Sequence, residues 1–229
     1  MISHAKLPLS APIAKWQAEI APITEGWKSH FNYRHFEGEW NVISLRSPGG
    51  TTDQIIPDVI GNSEYADTPL LDRCPAIKSW LSGIHCPLLS VRLLNLRSGS
   101  IIKEHRDHEL SFENGEARLH IPVFTNPGVE FYLNNQLITM KEGECWYINA
   151  NLPHRVANNG ASDRIHFVMD CQVNDWLREV FNRSELTKVP EEQFDEETKK
   201  VISELRRSNT EISNKLADEL ELKLRRSPS

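Results

Sequence analysis

The sequence predicts a mainly β domain, a sandwich or barrel of short strands, followed by a helical C-terminal extension. Three observations predict it. Between about residue 88 and residue 173, short apolar or alternating runs recur: Leu89–Leu96, Arg118–Phe124, Val129–Leu133, Leu137–Met140, Cys145–Ile148 and Ile165–Met169. Turn formers separate them, at Ser98-Gly99, Asn114-Gly115, Asn126-Pro127-Gly128, Asn134-Asn135, Glu142-Gly143 and Asn158-Asn159-Gly160. Strands at this spacing suit a sandwich or barrel and not a parallel sheet alternating with helices. From about Ser184 the texture becomes polar, and Ile202, Leu205, Ile212, Leu216 and Leu220 recur at helical spacing.

In chain order, residues 1–87 form a mixed part. It holds Trp-bearing segments around Trp16 and Trp27, a strand at Trp40–Leu45, a turn at Ser47-Pro48-Gly49-Gly50, and a short helix at Pro75–Ile84 that opens on proline. Residues 88–173 are the strand-rich core, and 1–183 together make one domain. Residues 184–229 are the extension. Pro190-Glu191-Glu192 starts its first helix with acid in the first turn. Ser208-Asn209-Thr210-Glu211 breaks it into two, with Asn209 or Thr210 capping the second. These helices either pack on the domain or make a dimerising or partner-binding arm, a homodimer being the expected form of the latter. The last residues, Leu224–Ser229, are expected to fray.

Composition narrows the function classes. The 229 residues are 39% hydrophobic and 25% charged, as in soluble globular proteins. A formal net charge of −6 gives no electrostatic reason to expect nucleic acid or an anionic membrane as partner. No apolar run approaches bilayer length, and the N-terminus lacks the pattern of a secretory signal. Cys74, Cys86, Cys145 and Cys171 show no C-x-x-C spacing, which argues against a thiolate zinc site and a disulfide framework. A cytoplasmic protein with reduced thiols is expected.

The chemistry centres on Lys103-Glu104-His105-Arg106-Asp107. Residues two apart on a strand point to one side, so His105 and Asp107 can present an imidazole nitrogen and a carboxylate oxygen to one point. Asn151-Leu152-Pro153-His154 offers a third ligand from a remote strand. Two histidines and one carboxylate leave metal positions open, as in non-haem Fe(II) oxygenases. By the same alternation His108 points away. A lone H-x-D is weak evidence; the succession around it gives it weight. Arg164 opens another apolar strand, and inside a barrel an unpaired guanidinium is costly. The 5-carboxylate of 2-oxoglutarate would be a bidentate partner for it.

Arg92 to about Trp176 resembles the aspartyl/asparaginyl β-hydroxylase family. The matching pieces are Leu96-Arg97-Ser98-Gly99, Arg118-Leu119-His120-Ile121-Pro122-Val123, Glu142-Gly143-Glu144-Cys145-Trp146, Leu152-Pro153-His154-Arg155-Val156 and Arg164-Ile165-His166-Phe167-Val168-Met169-Asp170. They cover about a third of the chain, and their order is more specific than any one of them. The resemblance implies a double-stranded β-helix (jelly-roll, cupin-like) fold. It implies Fe(II), 2-oxoglutarate and O2, and hydroxylation of an unactivated carbon with release of succinate and CO2. Arg164 would bind the cosubstrate, and Arg118 and His120, the family's R-x-H, a carboxylate of cosubstrate or substrate. The animal peptide hydroxylases of the family lack the acidic ligand; Asp107 makes this chain similar to the three-ligand bacterial members, which include proline hydroxylases. The expected substrate is an amino acid or an amino-acid residue.

Other residues have plainer expectations. His166 is expected to pack in the core, and Trp146, His85 and Arg97 to pack or be solvated. Trp40, Arg46 and the Ser47–Thr52 loop are expected at the substrate pocket, by likeness to N-terminal segments that cap such barrels. The alternative in another class is a cupin-like small-molecule-binding protein without oxygenase activity, since His154-Arg155-Val156-Ala157-Asn158 also fits the loose cupin pattern H-x-x-x-N. A metal enzyme needing no 2-oxoglutarate is a third option, disfavoured by the absence of H-x-H.

Overall fold

The computed structural model describes residues 1–56, 64–107 and 110–226, without the side chains of 191–195, 197, 223, 225 and 226. The elements in order are β1 (Ile2–Ser10), α1 (Ile13–Ile20), β2 (Lys28–Ser29), β3 (Phe36–Glu37), β4 (Trp40–Pro48), β5 (Tyr65–Asp67), α2 (Pro69–Asp72), α3 (Pro75–Leu81), β6 (Leu88–Leu96), β7 (Ile101–His105), β8 (Glu116–Phe124), β9 (Val129–Leu133) and β10 (Gln136–Leu137). They continue with β11 (Glu144–Ile148), β12 (His154–Asn158), β13 (Arg164–Gln172), α4 (Asp175–Asn182), β14 (Glu185–Lys188), α5 (Glu191–Ser208) and α6 (Glu211–Arg226).

From β6 onward the strands are shared between two sheets, β6, β8, β11, β13 and β14 in the larger and β7, β9, β10 and β12 in the smaller. The larger runs β14-β1-β11-β8-β13-β6-β4-β2 with β5 beside β4, and the smaller runs β10-β9-β12-β7-β3. The pairings β6–β13–β8–β11 and β7–β12–β9–β10 are antiparallel, the arrangement of a double-stranded β-helix. The expected barrel is thus two sheets. β1 was not foreseen as a strand; it pairs with β11 and extends the large sheet.

Both faces of the large sheet are buried, and they differ in chemistry. One face sends Leu119, Ile121, Phe167, Met169, Val91, Leu93, Ile43 and Tyr147 into the main apolar core with Trp16 of α1, Ile77 of α3 and Phe181 of α4. Trp16 packs edge-on against Trp80 and tilted on Phe167, with centroids 5.3 and 4.8 Å apart. The alternate residues of the same strands, among them Arg92, Arg118, His120, Arg164 and Asp170, line a cavity with the small sheet. Two buried faces explain why these strands read as nearly continuous apolar runs. Asn174 caps α4 by accepting the Leu177 N–H at 3.0 Å.

The turns behave as their residues dictate. Asn134 and Asn135 take positive φ, at 48° and 61°, between β9 and β10. The 126–128 and 158–160 turns lean together, so that a Cβ on Gly128 would strike the Gly160 backbone. The run Leu137–Met140 is strand only to Leu137; Ile138 and Met140 are still buried.

Contacts divide the chain into Ile2–Thr187 and a second unit, Lys188–Ser229 with Met1. Within the second unit α5 ends on Asn209 at φ 47°, and Thr210 Oγ1 accepts the Ser213 N–H at 3.1 Å, so Thr210 caps α6. Arg206 of α5 meets Asp218 and Glu221 of α6 at 2.6 and 3.1 Å. Helix α6 runs to Arg226, further than the expected fraying; residues 227–229 lie outside the described residues. No described helix is long and apolar enough to cross a membrane.

Candidate active site

The cavity between the sheets measures about 720 Å³. The small sheet supplies the candidate ligands. His105 ends β7 and His154 begins β12, directly opposite in the antiparallel register. Asp107 follows two residues after His105, its N–H bonded to Ala150 O at 2.8 Å. One nitrogen of each histidine and one oxygen of Asp107 lie within 4.8 Å of one another, the cluster of His, Asp, Glu or Cys among the described residues suited to a metal ion.

The histidines are oriented alike. His105 Nδ1 lies 2.8 Å from Lys103 O, and His154 Nδ1 lies 3.0 Å from Leu152 O. A carbonyl can only accept, so each Nδ1 carries the proton and each Nε2 keeps its lone pair for a ligand role. Burial, then the neighbouring His105, lowers His154 to about 4, so it is neutral near pH 7.

Asp107 is held from behind. Arg118 Nη1 donates to its Oδ2, leaving Oδ1 3.8 Å from His105 Nε2. Arg118 in turn grips Asp170 through Nε at 2.7 Å and Nη2 at 3.0 Å. Asp170 also accepts from Ser90 Oγ at 2.7 Å and Arg92 Nη2 at 2.8 Å. Burial alone would raise Asp170, but Arg118 and Arg92 outweigh it and hold its carboxyl below the usual range. Asp107 behaves likewise, burial being outweighed by Arg118, His154 and His105.

Arg164 differs. It is 2% exposed, its Nη2 donates to His166 Nδ1 at 2.8 Å, and its Nε has no partner. No carboxylate meets it among the described residues, and burial lowers it to about 9. His120 is buried too, with Nδ1 unpartnered and its ring 5.9 Å from that of His166. Burial and then Arg164 press His120 well below its ordinary value.

The structure therefore brings His105, Asp107, His154, Arg118, His120 and Arg164 around one cavity, with Trp40 in its wall. Arg118, expected on a ligand carboxylate, is engaged by the protein's own Asp107 and Asp170. His166, expected in the core, is buried and bonded to Arg164. Arg46 is not in the lining and is a correction: its guanidinium binds Asp67 at 2.7 Å, Tyr65 O at 2.6 Å and Leu88 O at 3.2 Å. A bulge is the reason. Ser44 pairs with Arg92 but Arg46 with Val91, so the extra residue moves Arg46 off the cavity face. Residues 47–52 are likewise absent from the lining, where Ile56 and Tyr65 appear. His108 lies outside the described residues. Sequence reasoning missed His30, Arg92 and the role of Asp170. The signal for Asp170 was there: 164, 166, 168 and 170 share one strand face.

An antiparallel double-stranded β-helix with a two-histidine, one-carboxylate cluster between its sheets defines a cupin-like protein with a candidate metal centre. The sequence profile described as Aspartyl/Asparaginyl beta-hydroxylase matches residues 14–173. The chain belongs to the aspartyl/asparaginyl β-hydroxylase family. The L-proline cis-4-hydroxylase of Rhizobium meliloti (strain 1021) is 28% identical over 138 residues, 59% of this chain and 48% of that protein. The chain thus spans about half the length of this curated relative. A 2OG-Fe(II) oxygenase-family oxidoreductase from Burkholderia pseudomallei superposes with TM-score 0.46 at 13% identity, over 71% of this chain and 78% of that one. The non-heme alpha-ketoglutarate-dependent epimerase SnoN from nogalamycin biosynthesis gives 0.47 at 11%, over 75% and 76%.

Proposed function

We propose that the chain is an Fe(II)- and 2-oxoglutarate-dependent dioxygenase that hydroxylates an unactivated carbon of an amino acid or amino-acid residue, with release of succinate and CO2. One observation carries this: Arg164 is a buried guanidinium without a carboxylate partner among the described residues, in the cavity that holds the metal-ligand cluster. A folded protein tolerates an unpaired buried cation where a ligand anion completes it. The 5-carboxylate of 2-oxoglutarate fits, with His120 beside it. The donor set fits Fe(II): two imidazole lone pairs held by carbonyl-bonded Nδ1–H groups and one carboxylate oxygen.

His105, Asp107 and His154 would hold the iron, which with 2-oxoglutarate and O2 supplies the oxidising chemistry when bound. The chain's own part is positional. Arg118 fixes Asp107 with one oxygen turned to the cluster. Leu94, Ile102, Phe131 and Val156 line the cavity with apolar surface that excludes water. The similarity to a proline hydroxylase supports an amino-acid substrate. Four cysteines without a disulfide support a cytoplasmic setting.

Anaerobic titration of apo-protein with Fe(II) and 2-oxoglutarate tests this. A visible charge-transfer band is expected that needs both additives, vanishes in His105→Ala and weakens in Arg164→Ala. No band in folded, iron-loaded protein would return the chain to a cupin-like binding function.

A further inference from the structure

Arg164 is not alone in having unused donors. Arg92 is 4% exposed; Asp170 takes its Nη2, and its Nε is buried without a partner. Near it stands His30, 8% exposed, stacked on Trp40 with centroids 3.6 Å apart and planes at 12°. The Asn32 N–H donates to His30 Nδ1 at 3.3 Å, which puts the ring proton on Nε2. No acceptor meets that N–H among the described residues. The charged and titratable groups that His30 faces are Arg92, Asp107, Arg118 and His105.

Two features separate this position from Arg164. Arg92 lies opposite Val168 in the β6–β13 register, while Arg164 lies opposite Leu96. Four residues of strand set the two Cα positions about 13 Å apart, so Arg92 and Arg164 start from separate points along the cavity wall. Charge also remains. The guanidiniums of Arg92, Arg118 and Arg164 exceed the carboxylates of Asp107 and Asp170 by one, and Arg106 and Glu116, which also line the cavity, cancel. Fe(II) and the 2-oxoglutarate dianion cancel each other. One positive charge is left on the wall to attract a substrate carboxylate; the α-ammonium of a free amino acid carries its own charge, so the surplus bears on where the carboxylate sits and not on the substrate's net charge.

We infer that Arg92 and His30 form a second carboxylate-binding position, which holds the free α-carboxylate of an amino-acid substrate. This rests on the proposed dioxygenase reading and deepens it. Both side chains are more than nine-tenths buried, so the bound group must enter the cavity. Inside a peptide that carboxyl is an amide, with no charge to meet Arg92. Arg118, expected on a carboxylate of cosubstrate or substrate, and Arg46, expected at the substrate pocket, are occupied by Asp107, Asp170 and Asp67.

The test begins with the anaerobic Fe(II)–2-oxoglutarate band, whose absence would sink the dioxygenase reading itself. With the band present, succinate release is measured over free L-amino acids, their carboxamides, and capped peptides carrying Asp or Glu. A free amino acid is expected to stimulate release, and its carboxamide on the order of tenfold less or not at all. His30→Phe keeps the stack on Trp40 but loses the donor. It is expected to raise KM for that amino acid on the order of tenfold, more than it lowers kcat, with the band retained and KM for 2-oxoglutarate within about twofold. His30→Gln, which restores an N–H, recovers most of the loss. The inference is overturned if the band forms yet no free amino acid stimulates release. It is equally overturned if carboxamides or capped peptides match the acids, or if His30→Phe leaves KM unchanged. The comparison of acids with carboxamides needs no variant.

Discussion

Arg164→Met is expected to raise the stability of the apo-protein while it weakens 2-oxoglutarate binding at the proposed site. The first effect follows from burial. The guanidinium is 2% exposed with one orphaned nitrogen and no carboxylate near it among the described residues, so the apo fold bears its desolvation uncompensated. Replacing buried ionic groups by apolar residues of similar volume stabilises by about 1–4 kcal/mol. The loss of the bond to His166 Nδ1 at 2.8 Å offsets part of this, because a buried acceptor left unmet costs about 1–3 kcal/mol. The desolvation gain is expected to win by a small margin, visible as a melting temperature a few degrees higher at about 2–4 °C per kcal/mol. The second effect is larger. Truncating one partner of a buried charge pair costs about 2–5 kcal/mol, so the 2-oxoglutarate Kd should rise roughly thirty-fold to a few thousand-fold. Calorimetric melting with and without cosubstrate measures both. A lower apo melting temperature with cosubstrate binding intact would mean that Arg164 is structural.

Asp170→Asn is expected to be the most destabilising single change at the site. One carboxylate is the ion-pair partner of two buried guanidiniums, Arg92 and Arg118, and accepts from Ser90 as well. Removing one member of a buried ion pair costs about 3–5 kcal/mol, a large share of the usual 5–15 kcal/mol of total stability. The pH dependence has a definite sign. A carboxyl held below its ordinary value of about 3.9 contributes stability that is fully present above that value and is lost as pH falls through the depressed one. Wild-type stability should therefore fall below about pH 4 more steeply than that of Asp170→Asn, with Asp107 supplying the slope that remains. The variant also frees Arg118 and so loosens Asp107; metal affinity should drop about 10- to 100-fold, as when ligand-orienting partners are lost. Denaturant titrations at pH 7 and between pH 5 and 3, with metal binding measured in parallel, decide this. Equal acid slopes in the two proteins would remove Asp170 as the electrostatic keystone.

Much of this was legible before folding. Six strand runs and the turns between them are local properties, carried by alternation, β-branching and Asn/Gly punctuation, and five of the runs became strands of similar extent. The spacing His105-x-Asp107 was legible because two residues on an extended chain share a side. Arg164 was legible because a charge in an apolar run demands a partner. Three things were not. β1 carries a mixed polar and apolar sequence whose burial depends on pairing with β11, a contact 138 residues away between Lys6 and Glu144. The bulge that turns Arg46 from the cavity depends on a register set by the neighbouring strand. The capture of Arg118 by Asp107 and Asp170 joins three segments that meet only in the folded sheets.

The sequence by itself determined the strand-rich core, the polar helical tail, the three candidate ligands and the arginine that opens an apolar strand, Arg164, because each is written in side-chain chemistry at short spacing. Only the tertiary structure decided which cations keep free donors. An arginine's availability depends on which carboxylates the fold brings within about 3 Å of it, and that distance is set by strand register and not by residue type.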